Sequence, residues 1–269
     1  MRLIGSILPL IMVSALHATT FGSPDGNGHP YVGTLLFQAG DGYFYSCSGT
    51  LLSSTVMVTA AHCTTDPSFG KNKATWVKFD ADITFPDREN YSGLADYLND
   101  SKNGWIAADV YPHPNYKGTY PETFDIGVAV LRKGVRLTAY GALPPKGFLA
   151  TVKSVDENRF SVVGYGLQGY IKPFYQDKYS RYVGYTRLVE LKSTFDGAEA
   201  SAKYTNNPGR VSGGSCFGDS GGPVFYQDTN LVVSVVSWGI TPCIGVDYNF
   251  RTDTKVAQDF LANFLSARK

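Results

Sequence analysis

The chain is short of charge, of cysteine and of histidine. Only 17% of its 269 residues are charged and the formal net charge is +1. With no excess of basic residues and no basic block, a dedicated nucleic-acid binder, which needs a basic face, is excluded. Acidic tails are missing too. The four cysteines form no C-x-x-C pair and no H-E-x-x-H occurs, so the common zinc patterns are absent. Beyond the first residues, no apolar run approaches the roughly 20 residues that a membrane helix needs. The four histidines leave little choice of a base that titrates near neutrality.

What is present points to a turn-rich, β-dominated globular chain: 43% hydrophobic residues together with 29 glycines. A chain of this length commonly forms one domain around one or two cores. Met1-Arg2 and the mostly apolar run from Leu3 to Leu16 fit a secretory signal peptide, with cleavage after Ala15 or, preferred, after Ala18. The chain is then expected to be secreted and extracellular. Four cysteines in that compartment imply two disulfides, and spacing alone allows three pairings.

The stretch from Gly214 to Pro223, G-S-C-F-G-D-S-G-G-P, reads as a nucleophile loop. A serine hydroxyl needs a neighbouring base and a place for negative charge to accumulate. Glycines at 218, 221 and 222 let the backbone turn tightly enough to aim the N–H groups of Gly218 and Ser220 at one point. A suitable base stands in Thr59-Ala60-Ala61-His62-Cys63. His17 falls in the signal, His29 in the first strand, and His113 in a proline-rich turn expected to be an exposed surface loop, which leaves His62. Asp125 precedes the apolar run 126–131, which would carry it inside, where a carboxylate needs a partner.

With T-A-A-H-C, then D-I-G-V-A-V-L, then G-D-S-G-G-P, the chain resembles the chymotrypsin-like (trypsin-fold) serine peptidases, in their order of His, Asp, Ser. The resemblance runs from about Pro30 to the C-terminus and is closer to microbial-type members without an obvious zymogen start. It implies an all-β fold of two antiparallel Greek-key barrels with the active site between them, plus a C-terminal helix. The expected boundaries are a signal at 1–18 and a peptidase domain at 19–269. Within it the first barrel spans about 29–135, the second about 155–252 and the helix about 254–267. It implies catalysis by His62, Asp125 and Ser220, an oxyanion hole at Gly218 and Ser220, and disulfides Cys47–Cys63 and Cys216–Cys243. Substrate would be bound by Gly214, Ser215, Ser237, Trp238, Gly239 and Asp247, with Ser237 also supporting Asp125.

Two positions leave alternatives open. Arg/Lys-cleaving members carry an aspartate where Gly214 stands, so a neutral pocket favours an apolar residue before the scissile bond. Asp247, if it points inward, favours Lys or Arg instead. Asp219 lacks the family's usual amine partner. His29 or a mature N-terminal amine could satisfy it, or the loop could lack full order.

The residues alone predict strands over 31–37, 43–52, 56–60, 76–79, 105–111, 160–166 and 231–237. They also predict a helix with Val256, Phe260, Leu261, Phe264 and Leu265 on one face and Asp253 or Thr254 as its cap. Asp80, Asp82, Asp87 and Glu89 form a solvated loop rather than a calcium site. Asn90 and Asn99 begin N-glycosylation sequons. No cofactor is called for. The expected partners are protein or peptide substrates and proteinaceous inhibitors, with no nucleic acid and no membrane anchor, and the chain is expected to be a monomer. The competing reading is a catalytically silent or latent homologue acting as a secreted binding or adhesive protein.

Overall fold

The computed structural model describes residues 19–20, 22–66, 70–118, 124–153, 159–171, 174–176, 179–191, 200–207 and 213–266. The expected signal segment, 1–18, lies outside them. Among the described residues no helix is long and apolar enough to cross a membrane.

Six strands close a barrel: β1 (Val32–Gln38), β2 (Phe44–Leu51), β3 (Val56–Thr59), β4 (Ala74–Lys78), β5 (Ile106–Pro112) and β6 (Gly127–Leu131), in the order β1-β2-β3-β6-β5-β4. Each is antiparallel to its neighbours, and β4 returns to β1 with Leu35 opposite Val77. β3 and β6 are buried along their whole length. They therefore read as unbroken apolar runs, without the alternation of a strand that has one wet face.

A second, eight-stranded sheet contains β7 (Phe160–Gly164), β8 (Tyr182–Thr186), β9 (Ser201–Asn206), β10 (Pro223–Tyr226), β11 (Val232–Gly239) and β12 (Gly245–Arg251). Its order is Ser23–Pro24, β8, β7, β10, β11, β12, β9, Leu188–Glu190. β8 lies towards one end of this order, while its continuation Leu188–Glu190 pairs with β9 at the other. The sheet therefore curls round on itself, and Thr186 Oγ donates to the Thr205 carbonyl at 2.5 Å across the closure. Two barrel-like sheets and a C-terminal helix make the fold all-β, as expected.

Two apolar clusters hold these layers. One fills the first barrel and runs on to Phe225, Val232, Val235 and Phe250 of the second sheet and to Ala257, Phe260 and Leu261. The other lies within the second sheet, around Leu149, Phe160, Val162, Ala202, Tyr204, Val224, Val233 and Val236. Each fully buried Val, Leu or Phe contributes roughly 1.5–3 kcal/mol. Because the larger cluster crosses from one sheet to the other, the seam between them is fixed in position.

Helix α1 (Leu94–Asn99) was not foreseen. It is six residues long and rests on the buried Tyr97 and Leu98, so tertiary packing rather than a repeating pattern holds it. Helix α2 (Lys255–Leu265) is capped by Thr254, whose Oγ1 accepts the Ala257 N–H at 3.2 Å. Its inner face is Ala257, Phe260 and Leu261. Val256, expected inside, is 39% exposed, which corrects the predicted stripe. Asp253 is not the cap: it binds Arg251 and the Leu149 N–H.

Candidate active site

Thr59 at the end of β3 pairs with Gly127 at the start of β6. His62, just past the one, and Asp125, just before the other, therefore meet at the same end of the barrel. A helical turn, Ala61–Cys63, presents the imidazole. His62 Nδ1 lies 2.8 Å from Asp125 Oδ2, the His62 N–H donates to Oδ1 at 3.0 Å, and the Ser237 hydroxyl donates to Oδ2 at 2.5 Å. A carboxylate only accepts, so Nδ1 carries the proton and Nε2 is left as the basic nitrogen. Asp125 is fully buried. Burial alone would raise its pKa, but the charge and hydrogen bonds of His62, with the Ser237 hydroxyl, outweigh it and hold the group at about 2.

Ser220 lines the same cleft as His62. Its loop is braced by β2: the Ser48 N–H donates to the Ser220 carbonyl at 2.8 Å, and Ser48 Oγ donates to the Gly218 carbonyl at 2.9 Å while accepting the Tyr165 N–H. Gly218 has φ +98° and Gly221 φ +79°. A Cβ on Gly221 would stand 2.0 Å from Thr59 Oγ1, so only glycine fits there. Among the described residues, neither the Gly218 nor the Ser220 N–H donates to another protein group. Disulfide Cys47–Cys63 ties β2 to the His62 turn, and Cys216–Cys243 ties the nucleophile loop to the segment before β12.

Asp219 does not pair with His29. That imidazole is held by Asp25, with Nδ1 2.5 Å from Oδ1, and stacks on Phe225. Asp219 instead accepts two backbone N–H groups, Gly166 at 2.8 Å and Cys216 at 2.9 Å. These replace an ion pair as its partners. Burial, reinforced by the nearby Asp247, still raises it to about 7 despite both bonds. Asp25 carries the N-terminal segment on a different anchor: its Oδ2 accepts Nε of Arg181 at 2.7 Å, both side chains being buried.

A pocket of about 190 Å³ opens beside Ser220, lined by Ser215, Cys216, Ser237, Trp238, Gly239 and Asp247 among others. Asp247 points inward. It accepts the Ser215 N–H and hydroxyl and the Asn206 amide, each at 2.8 Å, and burial raises it to about 6. Gly214 lies behind this lining. A Cβ there would meet Asn206 Oδ1 at 2.1 Å, so no side chain fits at that position and the pocket's carboxylate comes from β12 instead. Trp238 stacks on Tyr248 with centroids 3.9 Å apart and forms one flank of the pocket.

His113 is not an exposed loop residue. It is 7% exposed, with its ring 5.0 Å from Phe124 and 5.1 Å from Phe260. Phe124 sits at φ +58°, unusual for a bulky residue, directly before Asp125. The stack thus links α2 to the backbone that positions the carboxylate. Ser48 and Asn206 also serve the site and were missed; each acts on residues far away in sequence, and no local motif marks either. Among the described residues, only Cys47, His62 and Cys63 cluster as metal-type ligands, and the two sulfurs are already bonded to each other. The carboxylates of Asp80, Asp82, Asp87 and Glu89 form no such cluster among the described residues.

Two β-barrel-like sheets with a histidine–carboxylate pair and a glycine-rich serine loop at their seam define the architecture of a serine peptidase. The Trypsin family model matches residues 21–261, and the chain belongs to that family. It is 28% identical over 233 residues to a chymotrypsin-like serine proteinase of Haliotis rufescens, covering 80% of this chain and 79% of that one. It is 26% identical over 219 residues to trypsin, alkaline C, of Manduca sexta, with coverages of 78% and 76%. A solved structure described as HL collagenase shares the fold at a TM-score of 0.67 and 19% identity, over 93% of this chain and 99% of that one.

Proposed function

We propose that the chain is a secreted serine endopeptidase in which Ser220 is the nucleophile, His62 the general base and Asp125 its orienting anion. The observation that carries this reading is the His62–Asp125–Ser237 arrangement at a cleft shared with Ser220. Ser220 Oγ attacks the peptide carbonyl carbon as His62 Nε2 takes its proton. The buried Asp125 stabilises the imidazolium, and the Gly218 and Ser220 N–H groups hold the oxyanion. His62 then protonates the leaving amine, and water releases the acyl group by the same route.

The Asp247 pocket takes the side chain before the scissile bond. The buried, inward Asp247 carboxylate favours Lys or Arg there, since a cation would otherwise be desolvated without a counter-charge. Residues 1–18 act as a leader, 19–269 form a single peptidase domain, and the enzyme works as a monomer on protein or peptide substrates and meets proteinaceous inhibitors. Ser220→Ala tests the reading: peptide hydrolysis is abolished while the melting temperature stays near wild type. Digestion by the variant at the wild-type rate would refute it, and a folded wild type without hydrolysis would favour a binding-only homologue.

A further inference from the structure

Two cavities flank Ser220, and the first holds Asp247. The second, about 480 Å³, is lined by Phe37, Tyr45, Leu167, Tyr179 and Phe217 around His62, Gly218 and Ser220. Among the described residues, His62 is its only ionisable lining group apart from the tyrosine hydroxyls. Three of its aromatic residues stand at the surface: Tyr45 is 40% exposed, Tyr179 49% and Phe217 53%. Exposed aromatic area gathered round a cavity marks a binding surface.

Chemistry decides which part of a substrate enters which cavity. The base that protonates the departing nitrogen must face it. His62 lines this cavity and not the one that holds Asp247. We infer that the aromatic cavity binds the leaving-group side of the substrate and selects aromatic or large aliphatic residues immediately after the scissile bond, while disfavouring acidic ones. This inference rests on the serine-peptidase reading. Together the two cavities describe a substrate that changes from cationic to apolar across the bond that is cut. The selectivity comes from apolar contact, because among the described residues no lining Lys or Arg offers a carboxylate a partner, whereas an aromatic ring gains roughly the burial of a core side chain.

Acyl transfer isolates this cavity from the other. An arginine ethyl ester acylates Ser220 and releases ethanol, and added amino-acid amides then compete with water for the acyl group. The amine nitrogen bonds to the acyl carbon, the bond from that carbon to Ser220 Oγ breaks, and His62 passes the amine's proton to Ser220. The ratio of amide to acid product measures binding of the incoming amine, with hydrolysis as a reference internal to each protein. Phenylalaninamide and leucinamide should capture the acyl group at least tenfold better than aspartamide. The double variant Tyr45→Ala, Tyr179→Ala should reduce that preference to under threefold. Equal capture of all three amines by the wild type, or a preference unchanged in the variant, overturns the inference. Absence of ester hydrolysis by the folded protein overturns the serine-peptidase reading, and this one with it.

Discussion

Asp247→Asn should abolish the binding of cations in the pocket beside Ser220. The carboxylate is buried, held by Asn206 and Ser215, and raised to about 6 by burial. Removing one partner of a buried, hydrogen-bonded charge pair costs about 2–5 kcal/mol. At 1.4 kcal/mol per tenfold, an aromatic amidinium should lose roughly 30-fold to several thousand-fold in affinity. The sign of the pH effect follows from the same group. A cation binds the ionised form, so affinity is half its maximum at about pH 6, approaches the maximum above about pH 7 and falls by about tenfold between pH 8 and pH 5. The assay is fluorescence titration with p-aminobenzamidine in a Ser220→Ala background, which removes turnover. His62 and Asp219 remain in both proteins, but because Asp247 reinforces the raised pKa of Asp219, the variant loses the Asp247 transition and moves that of Asp219 to lower pH. An affinity within threefold of the parent, with an unchanged pH profile, would show that Asp247 does not receive the cation.

Three further outcomes follow from other contacts. Asp25→Ala leaves the buried Arg181 guanidinium without its carboxylate and should cost about 3–5 kcal/mol in urea unfolding. Thr254→Ala removes the α2 cap and should cost about 1 kcal/mol in the same assay. Asp125, held at about 2, contributes stability that is present above the unfolded carboxylate value of 3.8 and lost as pH falls towards 2. Asp125→Asn should flatten the acid limb of the stability curve by about 2 kcal/mol, measured between pH 5 and pH 2.

The strands were legible where burial leaves an unbroken apolar signature. β3 and β6 are covered on both faces, and their sequences V-M-V-T and G-V-A-V-L say so directly. The curl of the second sheet was expected only through the family resemblance, because it depends on one strand bending so that its two parts pair at opposite ends, which no local pattern marks. His113 was misread since its flanking prolines signal a turn, while its burial comes from Phe260 on the distant terminal helix. Asp219 seemed to need a cation because sequence cannot show that the Gly166 and Cys216 amides converge on it. For Asp247, sequence left the direction of the side chain open. The clash that a Cβ on Gly214 would make with Asn206 explains why a carboxylate in this pocket must enter from β12.

The most direct test of the central claim is reaction of the purified, folded protein with a fluorophosphonate, followed by peptide mass mapping. An activated serine beside a base and an oxyanion hole should yield a single adduct on the peptide carrying Ser220, lost in His62→Ala. A folded protein that takes no label, or takes it on another serine, would contradict the account.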